Sequence, residues 1–508
     1  MIEAILIISL IGLPMFHFRQ AEMVRLIPVI FIAGFVSLYV LATRQIPMIW
    51  DYPTLGMICF GLWLMASTLW TDNHQAIHEM YSLVALLILG YLARFADYAV
   101  IFGVILAVGT AFAIMSTYHR RNGKTGKDWE RKKIHYVFGN PTHSSQFDIL
   151  PLFISLWASF EISFFFLAFT AILLIDIYNQ KTEGTFIGLV SGFIIIGIIV
   201  LKWYMLLALL FLSVVITPYK NKKKESKFHS IYIRFAYWIA AWDMIKRRYL
   251  FGLGLNMFRK ELENMGDTMK ELRAKLGVIT GHRPHNDLLD IALELGLFGL
   301  IIFVFIFVFI PWGSINPFLI GGFVAWMVAG LFFFPLREIH TALPFWCFVG
   351  VLMGLGSVEM VVINPIIAVV VGLLVLRILY ATSIKALGVY FFHCTQNGKY
   401  PNELAENIKK AIGCDPYNGN YLMYGVLFHV EKEPEVAFEY AMRQLVTFDG
   451  GKVKWGVYDQ FSRVVMRISG LGLADIYCKK ALALNPDFTQ AKEMFEFINK
   501  TKENMVKK

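Results

Sequence analysis

The chain has 508 residues, of which 57% are hydrophobic and 17% charged, against roughly 25% charged in soluble domains. That balance excludes an ordinary soluble enzyme. Buried helices of soluble proteins carry a charged outer face, and here apolar runs of about 20 residues recur without one. The formal charge of +10 gathers in loops and toward the C-terminus, and the five cysteines match no metal-ligand spacing.

In chain order, the first apolar run, Ile2–Met15, reads as a short first span rather than a cleavable signal. Runs follow at Val24–Ala42, Tyr52–Trp70, Met80–Ala93 and Tyr98–Ser116. After a basic stretch, Tyr118–Gln146, come Phe147–Ala158, Phe164–Ile177, Phe186–Val200 and Tyr204–Ile216. A long polar interruption, Thr217–Asp290, precedes Leu297–Ile310, Phe318–Phe334, Leu343–Gly356 and Val361–Leu379. The predicted fold is all-α: a polytopic membrane helix bundle of about 13 transmembrane helices over residues 1–382, with a large outer loop. A small helical, solenoid-like domain follows over residues 383–508.

Parity places four loops on one side. With a cytoplasmic N-terminus, Tyr118–Gln146, Tyr178–Gly184, Thr217–Asp290 and Pro335–His340 all open outward, as does the tail. The positive-inside rule opposes this, because Arg120, Arg121, Lys124, Lys127 and Lys220–Lys224 lie in these loops while Arg44, Arg94 and Lys202 lie on the other side. A polyanionic substrate on the outer face would account for the cations there.

The tail is charged and helical in period. Ala481–Phe488, with its Asn485-Pro486 turn, resembles a tetratricopeptide helix end, and Ala411–Tyr417 is a weaker echo. Pro434–Leu445 reads as another helix. Two or three degenerate helical hairpins stacked as a small solenoid are expected; an irregular helical domain with one chance Asn-Pro turn is the alternative.

The chemistry is expected in the segment Gly281–Leu300, and residues 217–296 form the candidate catalytic loop. The segment begins with His282, Arg283 and His285 and runs directly into a membrane helix. Pro284 suits the first turn of that helix. His285 would then lie at the positive end of the helix dipole, which favours the neutral imidazole that accepts a proton. Gly296 and Gly299 lie near one face and permit close helix packing. Asp287, Asp290 and Glu294 share a helix face that is either solvated or paired with arginines.

His285-Asn286-x-x-Leu289, then Glu294, then Gly296-x-x-Gly299 entering a span, resembles the signature of the O-antigen ligase and polymerase superfamily. Other motifs match in order between about Gly139 and Gly356. Gly139-Asn140-Pro141 resembles a span opening of the family, with Thr142 where a second Asn is expected; Asn140 also reads as a plain helix cap, and His143 as either a site group or an ordinary helix-end histidine. Asn179-Gln180-Lys181-Thr182 stands where relatives carry Ser-Arg. Arg234 and Trp238, four apart, precede Gly252-Leu253-Gly254 and Phe258; the arginine lies against the Trp ring or reaches a phosphate, and the glycines mark a tight turn. Phe334-Pro335-Leu336-Arg337 resembles the region between two late spans.

The resemblance implies a glycosyltransferase of the bacterial inner membrane that moves a glycan from a polyprenyl diphosphate to an acceptor hydroxyl on the outer face. Ligation to a lipid A core, polymerisation of repeat units and O-glycosylation of protein all share this framework. His285 is then the general base. Arg283, Arg234, Lys181 and Arg337 are the implied diphosphate contacts and Asn286 a substrate contact; Lys181 also reads as an interfacial lysine and Arg337 as a loop cation. No cofactor, metal or nucleic acid is implied, and the tail is a candidate site for a protein partner. The competing classes are a flippase for the lipid-linked glycan and a non-catalytic assembly scaffold. Few charges lie within the spans, whereas transporters carry buried charge at mid-bilayer.

Overall fold

The computed structural model describes residues 45–71, 76–122, 141–180, 182–201, 224–264, 283–354, 358–362, 365–397, 401–416, 419–430, 433–447, 461–466, 471–484 and 489–506, together with Leu6, Leu10 and Gly34. The predicted spans Ile2–Met15, Val24–Ala42 and Tyr204–Ile216, the candidates His282 and Lys181, and the Asn485-Pro486 turn lie outside these residues. The chain forms two compact units, Met1–Leu376 and Arg377–Lys508.

The first unit is a helix bundle. Its helices are α1 (Tyr52–Ser67), α2 (Ala76–Ala93), α3 (Tyr98–Asn122), α4 (Pro141–Phe147), α5 (Ile149–Glu161), α6 (Leu167–Gln180) and α7 (Glu183–Leu201). After these come α8 (Lys224–Arg247), α9 (Phe258–Asn264), α10 (Asp287–Val308), α11 (Pro317–Gly330) and α12 (Ile339–Met353). Tyr98–Tyr118, Glu183–Val200 and Asp287–Ser314 are long and apolar enough to cross a membrane, and five shorter apolar helices accompany them. The chain is an all-α membrane helix bundle, with one addition. Strands β1 (Gln45–Ile49) and β2 (Val358–Val362) pair antiparallel, Gln45 opposite Val362. β-branched Val358, Val361 and Val362 suit a strand, so the predicted span Val361–Leu379 gives way to a strand and then α13 (Pro365–Asn397). The polar interruption likewise contains a 24-residue helix, α8.

Membrane helices associate by close packing rather than by hydrophobic exclusion of water. On α7, Gly184, Gly188 and Gly192 recur every four residues and face α11. A Cβ on Gly188 would lie 2.4 Å from the Ala325 carbonyl oxygen, and one on Gly192 2.5 Å from that of Gly321. On α10, Phe303, Ile306 and Phe307 face the core while Ile301, Val304 and Val308 are exposed, the surface a helix in lipid presents.

At one end of the bundle, buried Arg94 follows α2. Its guanidinium donates to the Asp51 carboxylate at the N-cap of α1, to the Thr54 hydroxyl and to the Gly354 carbonyl after α12. Arg94 was counted as a positive-inside residue; its charge is spent on Asp51. Glu79, at the start of α2, lies at the other end, where α4, α7, α10 and α12 also begin.

In the second unit, α14 (Pro401–Cys414), α15 (Gly419–His429), α16 (Pro434–Thr447), α17 (Leu471–Leu484) and α18 (Thr489–Val506) follow α13. Their buried positions recur at helical spacing: Ile408, Ala411 and Ile412 on α14; Ala474, Cys478 and Ala481 on α17; Ala491, Met494 and Ile498 on α18. Consecutive helices α14–α15, α15–α16 and α17–α18 pack on one another.

Candidate functional site

A break in α10 shapes the site. Asn286 is the N-cap: its backbone is extended and its side-chain oxygen accepts from the Leu289 N–H at 3.0 Å. The helix therefore begins at Asp287, and Pro284 lies ahead of the cap instead of in the first turn. The Asn286 cap satisfies one of the orphan N–H groups at the helix start, which Pro284 could not do. Asn286, expected as a substrate contact, thus spends its side-chain oxygen on the helix.

The first half of α10 ends at Gly296, whose φ is +70° and ψ −173°. Here the helical ladder opens, and the segment after α8 closes it from the side. The Leu253 N–H donates to Leu293 O at 2.8 Å, the Gly254 N–H to Glu294 O at 2.9 Å, and the Leu297 N–H to Tyr249 O at 2.7 Å. Backbone approaches backbone so closely that a Cβ on Gly296 would lie 2.2 Å from Leu250 O, and one on Gly252 2.4 Å from Glu294 O. The Gly252-Leu253-Gly254 motif and Gly296 are therefore two halves of one contact. Tyr237, Ala240, Ala241 and Met244 of α8 pack with Leu253, Met257 and Leu293 beneath it, which seats α8 and Arg234 beside the start of α10.

Below the cap lies a buried ion-pair network. Arg283 pairs with Asp290 at 3.0 Å, Glu294 at 3.2 Å and Glu79. Arg337 pairs with Glu79 at 2.7 Å, Asp290 at 3.0 Å and Glu294 at 2.6 Å. The Asn256 N–H also donates to Glu294 at 2.7 Å, and the Leu336 N–H to Asp287 at 3.3 Å. On the acidic face of α10, Asp290 and Glu294 are thus paired with arginines, while Asp287 is buried and accepts from the Leu336 backbone. Arg283 and Arg337, expected as diphosphate contacts, instead carry carboxylates on their forks, because three acidic side chains buried at this helix end require charge compensation. Glu79 contributes from a helix with no motif to mark it, so the sequence offered no signal for its part.

His285 stands just before the cap with φ +56°, a conformation that costs a non-glycine residue roughly 1–2 kcal/mol. Strain of this kind collects at functional positions. Its ring stacks on Tyr237 at 5.8 Å between centroids and meets Phe334 at 5.0 Å and Phe333 at 6.1 Å. Its Nδ1 is buried and has no hydrogen-bond partner among the described residues. Burial lowers the imidazole pKa to about 4, with the positive charge of Arg234 and the neighbouring His143 acting in the same direction. The ring is therefore neutral at physiological pH. This follows from burial and neighbouring positive charge, which act in the same direction as the helix dipole invoked from sequence.

Arg234 is half-buried and acts electrostatically on His285 and on Glu183. Among the described residues no cation–π contact joins it to Trp238, whose ring packs on Phe235 and Phe332. His143 lies buried against His340, Glu338 and the Phe333 ring, and Ser145 bonds Thr182 and Thr185. The structure therefore brings together at one end of the bundle residues from all four loops singled out by parity. Sequence reasoning did not find Tyr237, Phe333, Glu338 or His340, which are ordinary residues until the fold surrounds His285 with them.

A family model described as O-antigen ligase matches residues 168–304, from α6 through the broken helix. No curated protein matches the chain. The matched stretch holds Arg234, the Gly252-Leu253-Gly254 contact, His285 and Gly296, and over these residues the membrane helix bundle is similar to O-antigen ligases.

Proposed function

We propose that the protein transfers a glycan from a polyprenyl diphosphate to an acceptor hydroxyl, with His285 as general base. The observation that carries this is the buried Nδ1 of a neutral His285 beside Arg234; this nitrogen has no hydrogen-bond partner among the described residues. A buried polar atom without a partner is rare and asks for one, and a hydroxyl donates to it. In the reaction His285 takes the proton as the acceptor oxygen attacks the anomeric carbon. The bond from that carbon to the diphosphate breaks with its electron pair, and the configuration inverts. The diphosphate is a good leaving group, so the step is metal-independent; Arg234, with Lys181, stabilises the departing charge. Arg283 and Arg337 hold the helix start and the loop that shape the pocket.

An imidazole of pKa about 4 is a weak base in the free enzyme, since the best base titrates near the working pH. A bound diphosphate offsets the charge of Arg234 and raises that pKa, so the base strengthens when the donor arrives. Protonation abolishes the function. With purified protein and a polyprenyl-diphosphate glycan, kcat/KM therefore falls on the acid side near pH 4, and kcat falls at a higher pH. Arg234→Gln moves the acid limb of kcat/KM upward and raises the donor KM. An acid limb unmoved by this variant would reject the assigned pair, and absence of any transfer would leave the flippase or scaffold reading. Glycan analysis of a strain lacking the protein separates ligation, polymerisation and protein glycosylation.

In this reading the site faces outward from the bacterial inner membrane. The membrane unit spans residues 1–382, and the tail, 383–508, is a tetratricopeptide-like module that docks an acceptor or a protein partner. Reporter fusions after Lys222 and Lys399 both report an outer location; a cytoplasmic signal from either overturns the sidedness.

A further inference from the structure

His143, Glu338 and His340 converge in the bundle close to His285 but outside the chemistry assigned to it. All three are buried. His143 Nδ1 lies 3.2 Å from His340 Nε2 and 3.5 Å from the Glu338 carboxylate, and one donor atom from each residue falls within 4.8 Å of the others. Donor atoms each roughly 2.0–2.2 Å from a tetrahedral zinc lie about 3.3–3.6 Å from one another, and the His143–His340 and His143–Glu338 separations are close to that.

Local structure supports the convergence. Glu338 is the N-cap of α12 yet makes no side-chain cap hydrogen bond; its carboxylate turns to His143 and His340 instead. His340 is two residues further on, at the start of the same helix, and His143 comes from α4. The two imidazoles stack, 5.2 Å between centroids and 24° between planes. No sequence motif announces the group, because its members come from segments nearly 200 positions apart, as the His143–His340 separation of 197 shows.

We propose that His143, Glu338 and His340 bind one divalent transition-metal ion, zinc by the nature of the donors. The ion would cross-link α4 to the loop between α11 and α12. That loop carries Phe333 and Phe334, which hold the His285 ring, and Arg337, which sits in the ion-pair network. The role is positional: the ion fixes the loop that walls the base, and the transfer step does not run through it. The alternative is a metal-free cluster in which the histidines hydrogen-bond to each other and to Glu338.

The two are separated without any glycan substrate, so the outcome is independent of the transferase reading. The full-length protein is purified in detergent through a histidine-free tag, dialysed against zinc and then against buffer, and its metal content measured. About one zinc per chain is expected from the donor set, with a higher thermal midpoint than the chelator-treated protein. Cobalt substitution gives the visible bands of a low-coordinate site. His143→Gln, His340→Gln and Glu338→Gln each lose the ion, while His285→Gln retains it. Folding of the variants is checked by helix content and by elution as a single species. Zinc at background level in the native protein, or full retention by any two of the three folded ligand variants, overturns the proposal.

Discussion

His285→Ala is expected to lower turnover by roughly 10²–10⁴-fold, the range lost with a general base, while protein level and donor binding are retained. The ring packs on Tyr237, Phe333 and Phe334, so thermal unfolding is measured beside turnover to show that the fold survives its loss. Its Nδ1 makes no hydrogen bond among the described residues, and its backbone sits at φ +56°, so alanine keeps the same backbone strain and removes the ring with its aromatic contacts. Donor binding is expected to survive because the diphosphate is assigned to Arg234 and Lys181. The measurement is single-turnover transfer from a polyprenyl-diphosphate glycan beside a donor-binding titration. His282→Ala, three residues away and outside the motif, should have a much smaller effect. Normal transfer by His285→Ala would remove the mechanism.

The second large effect is on stability. Arg337→Ala leaves Glu79, Asp290 and Glu294 with Arg283 as their remaining guanidinium partner in the network. Arg337 is buried, its side chain 4% exposed, and Asp290 and Glu294 are wholly buried. Breaking a buried pair by removing one partner typically costs about 3–5 kcal/mol, because a desolvated charge is left uncompensated. Thermal unfolding in detergent should show a loss of that order. Arg337→Lys should recover part of it, since lysine restores the charge but not the fork that reaches three carboxylates. A variant Arg337→Ala as stable as the native protein, with a raised donor KM as its main defect, would return Arg337 to the phosphate-binding role suggested by its motif.

These two residues show how far sequence reasoning reached. His285 and Arg337 were both singled out, His285 by the His-Asn motif at a membrane entry and Arg337 by Phe-Pro-Leu-Arg. Residue type carried the first: a histidine at a polar-to-apolar boundary is already chemically unusual. It did not carry the second, because an arginine in a loop reads equally as a phosphate contact or as a counter-ion. Only the positions of Glu79, Asp290 and Glu294 choose between those readings, and Glu79 lies 258 positions from Arg337.

The same division holds for the fold. Hydropathy alone determined an all-α membrane bundle, since a long apolar segment in lipid must satisfy its backbone internally and the helix does so. Apolar period likewise located α16, as Pro434–Leu445, and the ends of α14 and α17, at Ala411–Tyr417 and Ala481–Phe488, but not α15. The glycine repeat on α7 at Gly184, Gly188 and Gly192 is a packing signal that sequence reading passed over and the contacts with α11 revealed. What tertiary structure decided were the contacts between distant segments: the break at Gly296 closed by the backbone after α8, the pairing of β1 with β2, and the burial that keeps His285 neutral. A helix break, a strand pair and a shifted proton affinity each depend on which neighbour supplies the missing hydrogen bond or removes the water. That neighbour is set by three-dimensional packing and not by adjacency along the chain.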